Sequence, residues 1–177
     1  THAFENGPKL KSLFFTKSGK ERLEKTLTDS DFNKVNSFLI SNEIAKEISE
    51  TENPQGIFGL AEFSTWTLHR LLTRVPKKLV YLWELADPGN LGTIIRTAAA
   101  FDFEGVLLSP GSVDPFSPKV QRSTSGAFFH IPVLVEQEFS EVITELSASN
   151  FKLAALDGAA ENSFDSFFKP NLGSGPN

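Results

Sequence analysis

The chain of 177 residues contains no cysteine, no methionine and only three histidines. Without cysteine it can form no disulfide, no thiolate nucleophile and no cysteine-type zinc site, and three scattered histidines argue against a histidine-based metal centre. We therefore expect a protein that works without a metal. The missing initiator methionine predicts a processed or partial product of a longer chain.

Long apolar runs and a surplus of positive charge are also missing. No run approaches the roughly 20 residues that span a bilayer, and the first residues lack the pattern of a secretion signal. These absences predict a soluble intracellular protein without a membrane partner. A net charge of −5 argues against nucleic-acid binding through overall charge. Local basic clusters can still bind phosphate, and two occur: six basic residues between Lys9 and Lys25, also typical of a solvated face, and Lys119 with Arg122.

Apolar periodicity divides the chain near residue 75. In the first part, Ser41 is predicted to cap a helix, and Trp66 is assigned to packing. The predicted strands are 11–16, 36–40 and 57–63, with a helix at 42–49 and a short helical connector at 66–74. This pattern predicts a small α/β unit.

The second part repeats strand and helix with short connections. The predicted strands are 79–83, 106–108, 133–135 and 152–156, and the predicted helices are 91–101, 115–127 and 139–147. Such alternation predicts a parallel sheet covered on both faces. Trp83 is also assigned to packing. The sequence therefore predicts an α/β protein with domains at 1–75 and 76–177.

The most informative segment runs from Asp87 to Thr97. A Pro-Gly turn follows the first strand of the second part, and Asn90 is predicted to cap the next helix. Such a loop lies at the carboxyl end of a strand, where open α/β sheets bind their ligands. Further along, Asp114 and Pro115 predict another helix start. Neither a Gly-x-Gly-x-x-Gly turn nor a P-loop is present, which disfavours an unrelated nucleotide-binding protein.

Two segments, Asp87 to Thr97 and Ser109 to Phe128, together resemble the SpoU/TrmH-type RNA ribose methyltransferases of the SPOUT superfamily. Residues 11 to 63 look like the N-terminal substrate-binding domain of many members, which resembles a ribosomal protein. The resemblance implies an RNA substrate-binding domain at 1–75 and a SPOUT-type parallel α/β methyltransferase domain at 76–177.

The resemblance also implies an activity. Members transfer a methyl group from S-adenosylmethionine to a ribose 2′-hydroxyl of ribosomal or transfer RNA, without a metal. They act as homodimers whose catalytic domain is tied in a trefoil knot. The cytoplasm of a bacterium and the matrix of a mitochondrion or chloroplast are both compatible with this sequence.

The family pattern places Asn90 and Arg96 in the active site, with Asn90 shaping the loop and Arg96 contacting the substrate. Family schemes sometimes make this arginine the general base, but a neutral guanidinium at neutral pH costs about 7 kcal/mol. We expect Arg96 to orient the hydroxyl and its neighbouring phosphate through a planar, permanently charged fork. A phosphate oxygen or water then takes the proton.

Further RNA contacts are expected on the helix predicted at 115–127. Lys119 and Arg122 lie three residues apart, so they project from one face toward successive phosphates. Ser123 keeps the next turn slim, either for close approach to RNA or a partner subunit, or for tight helix packing. Both interpretations of Ser123 remain open.

Two further family motifs, Gly-Asn/Ser-Glu-Gly and Ile-Pro…Ser-Leu-Asn-Val, form the knot and hold the donor, and neither occurs in residues 157–177. The strand ending in Ala155, Leu156 and Asp157 would border the donor in this family. The resemblance thus predicts a C-terminally incomplete domain whose knot region is missing. Two hypotheses remain: a methyltransferase whose parent chain continues beyond Asn177, and a catalytically silent RNA-binding or ribosome-assembly module.

Overall fold

In its described residues, the first unit is a three-stranded sheet with two helices. The computed structural model describes residues 9–28, 32, 34–62, 65–156 and 159–160. In the sheet, β1 lies between β2, with which it is parallel, and β3, with which it is antiparallel. The elements are β1 (Lys9–Phe15), α1 (Lys17–Leu23), β2 (Asn36–Leu39), α2 (Asn42–Glu47) and β3 (Ile57–Glu62).

The helices α1 and α2 begin at hydroxyl caps. The Thr16 Oγ1 accepts a hydrogen bond from the Gly19 N–H at 3.1 Å, and the Ser41 Oγ accepts one from the Ile44 N–H at 3.3 Å. Such caps pair backbone donors that a helix start otherwise leaves unsatisfied. The predicted cap at Ser41 is confirmed.

The second unit alternates strand and helix around a parallel sheet of order β4-β5-β6. The predicted α/β class with a parallel sheet is confirmed. The elements are α3 (Leu68–Leu72), β4 (Leu79–Leu82), α4 (Pro88–Ala100), β5 (Gly105–Leu108), α5 (Pro118–Ser123), a 3₁₀ turn (Ala127–Phe129), β6 (Val133–Leu134) and α6 (Phe139–Ala148).

Apolar side chains cover both faces of this parallel sheet, as the sequence predicts. On one face, Val106 and Leu108 of β5 pack in a buried cluster with Ile95 of α4. On the other face, Leu107 packs in a second cluster that includes Leu71 of α3 and residues of α6. Alternation along a strand sends successive side chains to opposite faces. The central strand is therefore buried throughout and holds α4 at a fixed place.

Two predicted helix starts are wrong. Asp87, and not Asn90, caps α4, and its carboxylate accepts a hydrogen bond from the Asn90 N–H at 2.6 Å. The helix predicted at 115–127 spans only Pro118–Ser123. Because Pro118 has no N–H and disfavours helical backbone at Ser117, no helix can run from Pro115 through that point. Asp114 instead accepts a hydrogen bond from the Phe116 N–H within a turn.

The strand predicted at 152–156 is also absent. Leu153 and Leu156 are 44% and 80% exposed, and the described part of the second sheet ends at β6. An apolar run forms a strand only where a neighbouring strand takes its backbone hydrogen bonds. Trp83 was expected to be packed, but it is 61% exposed. It follows the last residue of β4, and the centroid of its ring lies 6.5 Å from that of Tyr81 and 5.7 Å from that of Phe139.

Candidate functional site

The loop after β5 holds the loop after β4. Ser109, which is 2% exposed, accepts a hydrogen bond at its Oγ from the Glu84 N–H at 2.7 Å. The Val113 N–H donates to the Leu85 carbonyl at 2.8 Å. Both loops leave the carboxyl edge of the parallel sheet, where such sheets bind ligands. The two sequence motifs, Asp87 to Thr97 and Ser109 to Phe128, therefore form one rigid surface.

A close crossing of α4 and α5 joins the motifs a second time. The single hydroxyl hydrogen of Ser123 is shared between the Val120 carbonyl at 2.8 Å and the Pro88 carbonyl at 3.2 Å. Gly92 is buried at the crossing, and a Cβ on it would lie 1.8 Å from the Ser123 Oγ. Only glycine permits this approach. The slim Ser123 thus serves helix packing, and an RNA contact by Ser123 stays a prediction.

Arg96 lies one turn beyond this crossing. Residues four apart share a helix face, so Arg96 follows Gly92 on the side of α4 that meets α5. Its side chain is exposed, and none of the hydrogen bonds or ion pairs of the described residues involves its guanidinium. The structure therefore presents an unpaired, planar cation beside the joined motifs.

Asn90 lies apart from Arg96. They are six positions apart on the α-helix, which separates them by about 9 Å along the axis and about 120° around it. Asn90 is exposed in the first turn of α4, and its backbone N–H is bound to Asp87. The helix thus places the two residues at opposite borders of its exposed face, and a group reaching both must span that face.

Lys119 and Arg122 are both exposed on α5. Lys119 forms no ion pair within the described ranges of the chain. Arg122 forms one with Glu50, with 3.7 Å between nitrogen and oxygen and both side chains half exposed. Such exposed pairs contribute about 0–1 kcal/mol. The cation of Arg122 is accordingly available to a stronger anion.

A cleft of about 220 Å³ opens beside the carboxyl ends of β5 and β6, between Ser112, Asp114 and Glu136. Sites that enclose ligands of drug size span about 300–1,000 Å³. Ala155 and Leu156 are exposed, and Asp157 lies outside the described residues. This cleft alone is therefore too small to enclose a ligand as large as S-adenosylmethionine.

The described ranges hold no group of three His, Cys, Asp or Glu side chains placed to bind a metal ion. Across those same ranges, every helix is too short or too polar to cross a membrane.

Sequence reasoning missed two residues that build this site, Asp87 and Gly92. Each carried a signal. Asp followed by Pro is typical of an N-cap with proline at the first helical position, and a glycine inside a predicted helix indicates close packing.

Comparisons with known proteins agree with this architecture. Residues 77–173 match the model of the SpoU rRNA Methylase family, and residues 1–66 match the model for RNA 2′-O ribose methyltransferase substrate binding. The 23S rRNA (guanosine(2553)-2′-O)-methyltransferase RlmP of Bacillus subtilis is 34% identical over 67% of this chain and 46% of its own length. The mitochondrial rRNA methyltransferase 3 of Xenopus tropicalis is 34% identical over 84% of this chain and 36% of its own length.

A solved rRNA methyltransferase from Sinorhizobium meliloti has the same fold. Its TM-score is 0.68 at 28% identity, covering 83% of this chain and 54% of that one. The AdoMet-bound form of that enzyme gives a TM-score of 0.65 at the same identity and coverage. The chain spans less than half the length of the curated relatives it matches. Because the family model matches more than half of the chain, in the unit that carries both joined motifs, this protein belongs to the SpoU rRNA methylase family.

Proposed function

We propose that this chain provides the RNA-binding and substrate-positioning part of an S-adenosylmethionine-dependent RNA 2′-O-ribose methyltransferase. Residues 1–75 are assigned to RNA substrate binding and residues 76–177 to the methyltransferase domain. The family matches support this assignment. The observation that supports it most is the crossing of Gly92 and Ser123, which fixes the backbone of α4, the helix that carries Arg96.

Arg96 is proposed to position the reacting ribose. A guanidinium presents several N–H donors in one plane and can bind two oxygens at once, so it fixes both the distance and the rotation of the group that it binds. Methyl transfer requires the 2′-hydroxyl oxygen in line with the bond that breaks, and alignment of this kind accounts for several orders of magnitude in rate. The role of Arg96 is therefore orientation, with the proton leaving to a phosphate oxygen or to water.

Asn90 is proposed to shape the opposite border of the same surface. Its exposed side chain stands in the first turn of α4, which Asp87 caps and Ser123 contacts. Asn90 and Arg96 then border the path of the RNA from two sides. A nucleotide is wide enough to contact both.

Lys119 and Arg122 are proposed to bind the RNA backbone. They lie three residues apart on α5, so their side chains leave one face of the helix. A phosphate would replace Glu50 as the partner of Arg122, since the exposed pair is worth little. These contacts fix the register of the RNA and carry no sequence information.

The donor proposed for the whole protein is S-adenosylmethionine, which the AdoMet-bound Sinorhizobium enzyme supports. We extend the proposal to ribosomal or transfer RNA as substrate, to a homodimer, and to a bacterial cytoplasm or organelle matrix as compartment. Bacterial and mitochondrial relatives support the last point. Donor binding involving Ala155, Leu156 and Asp157 is part of the same proposal.

The test is methyl transfer to RNA. The whole protein is incubated with ribosomal RNA and S-adenosylmethionine labelled in its methyl group, and the RNA is then hydrolysed in alkali. Because alkaline cleavage needs a free 2′-hydroxyl, label on the ribose survives in an uncleaved dinucleotide. We expect such dinucleotides with the wild type and with Ser147→Ala, an exposed control on α6, and far fewer with Arg96→Ala. RNA binding without any methyl transfer by the wild type would contradict the proposal and identify a silent RNA-binding module.

A further inference from the structure

A third basic segment joins the two units. From Trp66 to Lys78 the chain carries four Lys or Arg residues and no Asp or Glu, although its net charge is −5. The segment contains α3, which Leu71 anchors with a fully buried side chain. At the start of α3, the Thr67 Oγ1 accepts a hydrogen bond from the Arg70 N–H at 3.2 Å. The backbone that carries these cations is therefore fixed.

Two arginines of this segment stack on one tryptophan. The guanidinium carbons of Arg70 and Arg74 each lie 4.3 Å from the centroid of the Trp66 ring. Contacts of this kind contribute about 0.5–1 kcal/mol at exposed sites. Trp66 itself is half-buried against the cluster that contains Leu71. The stack thus restricts two long side chains that are otherwise exposed.

Neither stacked guanidinium has a polar partner among the residues that the structure describes. Two other arginines differ in this respect, because Arg122 pairs with Glu50 and Arg22 donates to the Gln55 carbonyl. The N–H groups of Arg70 and Arg74 are therefore free to bind an external anion. Because stacking already restricts these side chains, they lose less conformational entropy when they bind an anion.

We propose that Arg70, Arg74 and Trp66 form a second RNA contact, which binds the phosphate backbone outside the reacting nucleotide. Guanidinium groups bind phosphate oxygens in pairs, and their planes also stack on nucleobases. That the anion is RNA rests on the proposed function. The contact is distinct from the site at Arg96, because α3 packs on the opposite face of the parallel sheet from α4.

Charge on the neighbouring surface determines on which side of α3 the RNA passes. A groove of about 440 Å³ lies between α3 and α6 and is lined by Glu138, Glu141 and Glu145. These carboxylates repel phosphate, so the RNA passes on the side of α3 that faces away from α6. It then contacts the arginine stack without entering the groove.

The experiment measures the affinity of the protein for a short, mixed-sequence single-stranded RNA over a range of salt concentrations. We expect Arg70→Gln/Arg74→Gln to weaken binding at least about tenfold and to reduce the slope of log affinity against log salt by about 1.4, for two lost phosphate contacts. The charge-preserving Arg70→Lys/Arg74→Lys should keep most of the slope but lose affinity, because lysine neither binds oxygens in pairs nor stacks.

The matched comparison is between single variants that each remove one positive charge. Lys152 is exposed beyond the end of α6, outside the residues proposed to bind RNA. We expect Arg74→Gln to weaken binding several-fold and Lys152→Gln to leave it within about twofold. Equal effects of the two variants, or no effect of the double variant, would overturn the proposal.

Methyl-transfer assays separate this inference from the proposed function. We expect the double glutamine variant to raise KM for RNA and to leave kcat unchanged. RNA affinity that depends on Arg70 and Arg74 without any methyl transfer would refute the proposed function alone. Methyl transfer with unaltered KM in the double variant would refute the second contact alone. Wild-type protein that fails to bind RNA would refute both.

Discussion

The crossing of α4 and α5 is tested by Gly92→Ala. Gly92 is buried where the two helices meet, and the Ser123 hydroxyl bonds to the first turn of α4 at this point. Alanine in place of glycine inside a helix normally stabilises a protein by about 1 kcal/mol. The close approach of α5 reverses this expectation.

The magnitude follows from the contacts of an added Cβ. It would lie 1.8 Å from the Oγ, 2.5 Å from the Cβ and 2.9 Å from the carbonyl carbon of Ser123. The Oγ can rotate away and lose its bond to Pro88, at a cost of about 1 kcal/mol. The other two atoms move only with α5, and such overpacking costs about 1–3 kcal/mol. After the gain in helix propensity, we expect a net loss of about 1–3 kcal/mol in the free energy of unfolding.

Urea unfolding of the wild type and of three variants measures this effect. Thr97→Ala, an exposed change on the same helix, should stay within about 0.5 kcal/mol of the wild type. Gly92→Ala/Ser123→Gly should recover part of the loss, because it removes the two nearest obstructing atoms. The reasoning would be refuted if Gly92→Ala were as stable as the wild type.

Two further predictions concern the helix cap and a pH-dependent contact. Asp87→Ala should cost about 1 kcal/mol of unfolding free energy, while Asp87→Asn keeps most of it; equal losses in urea unfolding would contradict a hydrogen-bonded cap. The backbone N–H groups of Lys77 and then Lys78 lower the pKa of Glu104 below 4.5. The Glu104 carboxylate thus adds to the free energy of unfolding above pH 4.5, and this stabilisation is lost as the pH falls through the folded-state pKa of Glu104. The stability difference between wild type and Glu104→Gln should therefore shrink on acidification; a constant difference would contradict it.

Much of the fold was predictable because the parallel sheet leaves a strong pattern. Successive side chains of β5 lie on opposite faces, and both faces are buried, so the strand is a continuous apolar run. Apolar periodicity also predicts α6, which spans Phe139–Ala148. Patterns of this kind can be predicted because the spacing of apolar residues in the sequence reflects which side chains are buried.

Helix starts were harder to predict because the same signature has two outcomes. Asp-Pro begins α4 at Asp87, but Asp114 with Pro115 forms only a turn. The difference lies three residues further on, where Pro118 prevents helical backbone at Ser117. An Asp-Pro pair therefore predicts a helix start only if the next three or four residues contain no further proline.

The sequence proposes residues for the candidate site but does not give their contacts. The motifs indicate Asn90, Arg96, Lys119, Arg122 and Ser123, yet nothing in their spacing places Ser123 against Gly92 or Arg122 beside Glu50. Such contacts arise from tertiary packing between segments distant in sequence. For the same reason, the stacking of Arg70 and Arg74 on Trp66 could not be read from the sequence.

The most direct test of the central claim is the single-turnover rate of methyl transfer with saturating RNA, measured for wild type, Arg96→Lys and Arg96→Ala beside the dissociation constant for RNA. If the planar fork of Arg96 orients the reacting ribose, both variants should be slower by about 100-fold or more, with a modest change in RNA affinity. A lysine variant that keeps the wild-type rate would contradict the claim.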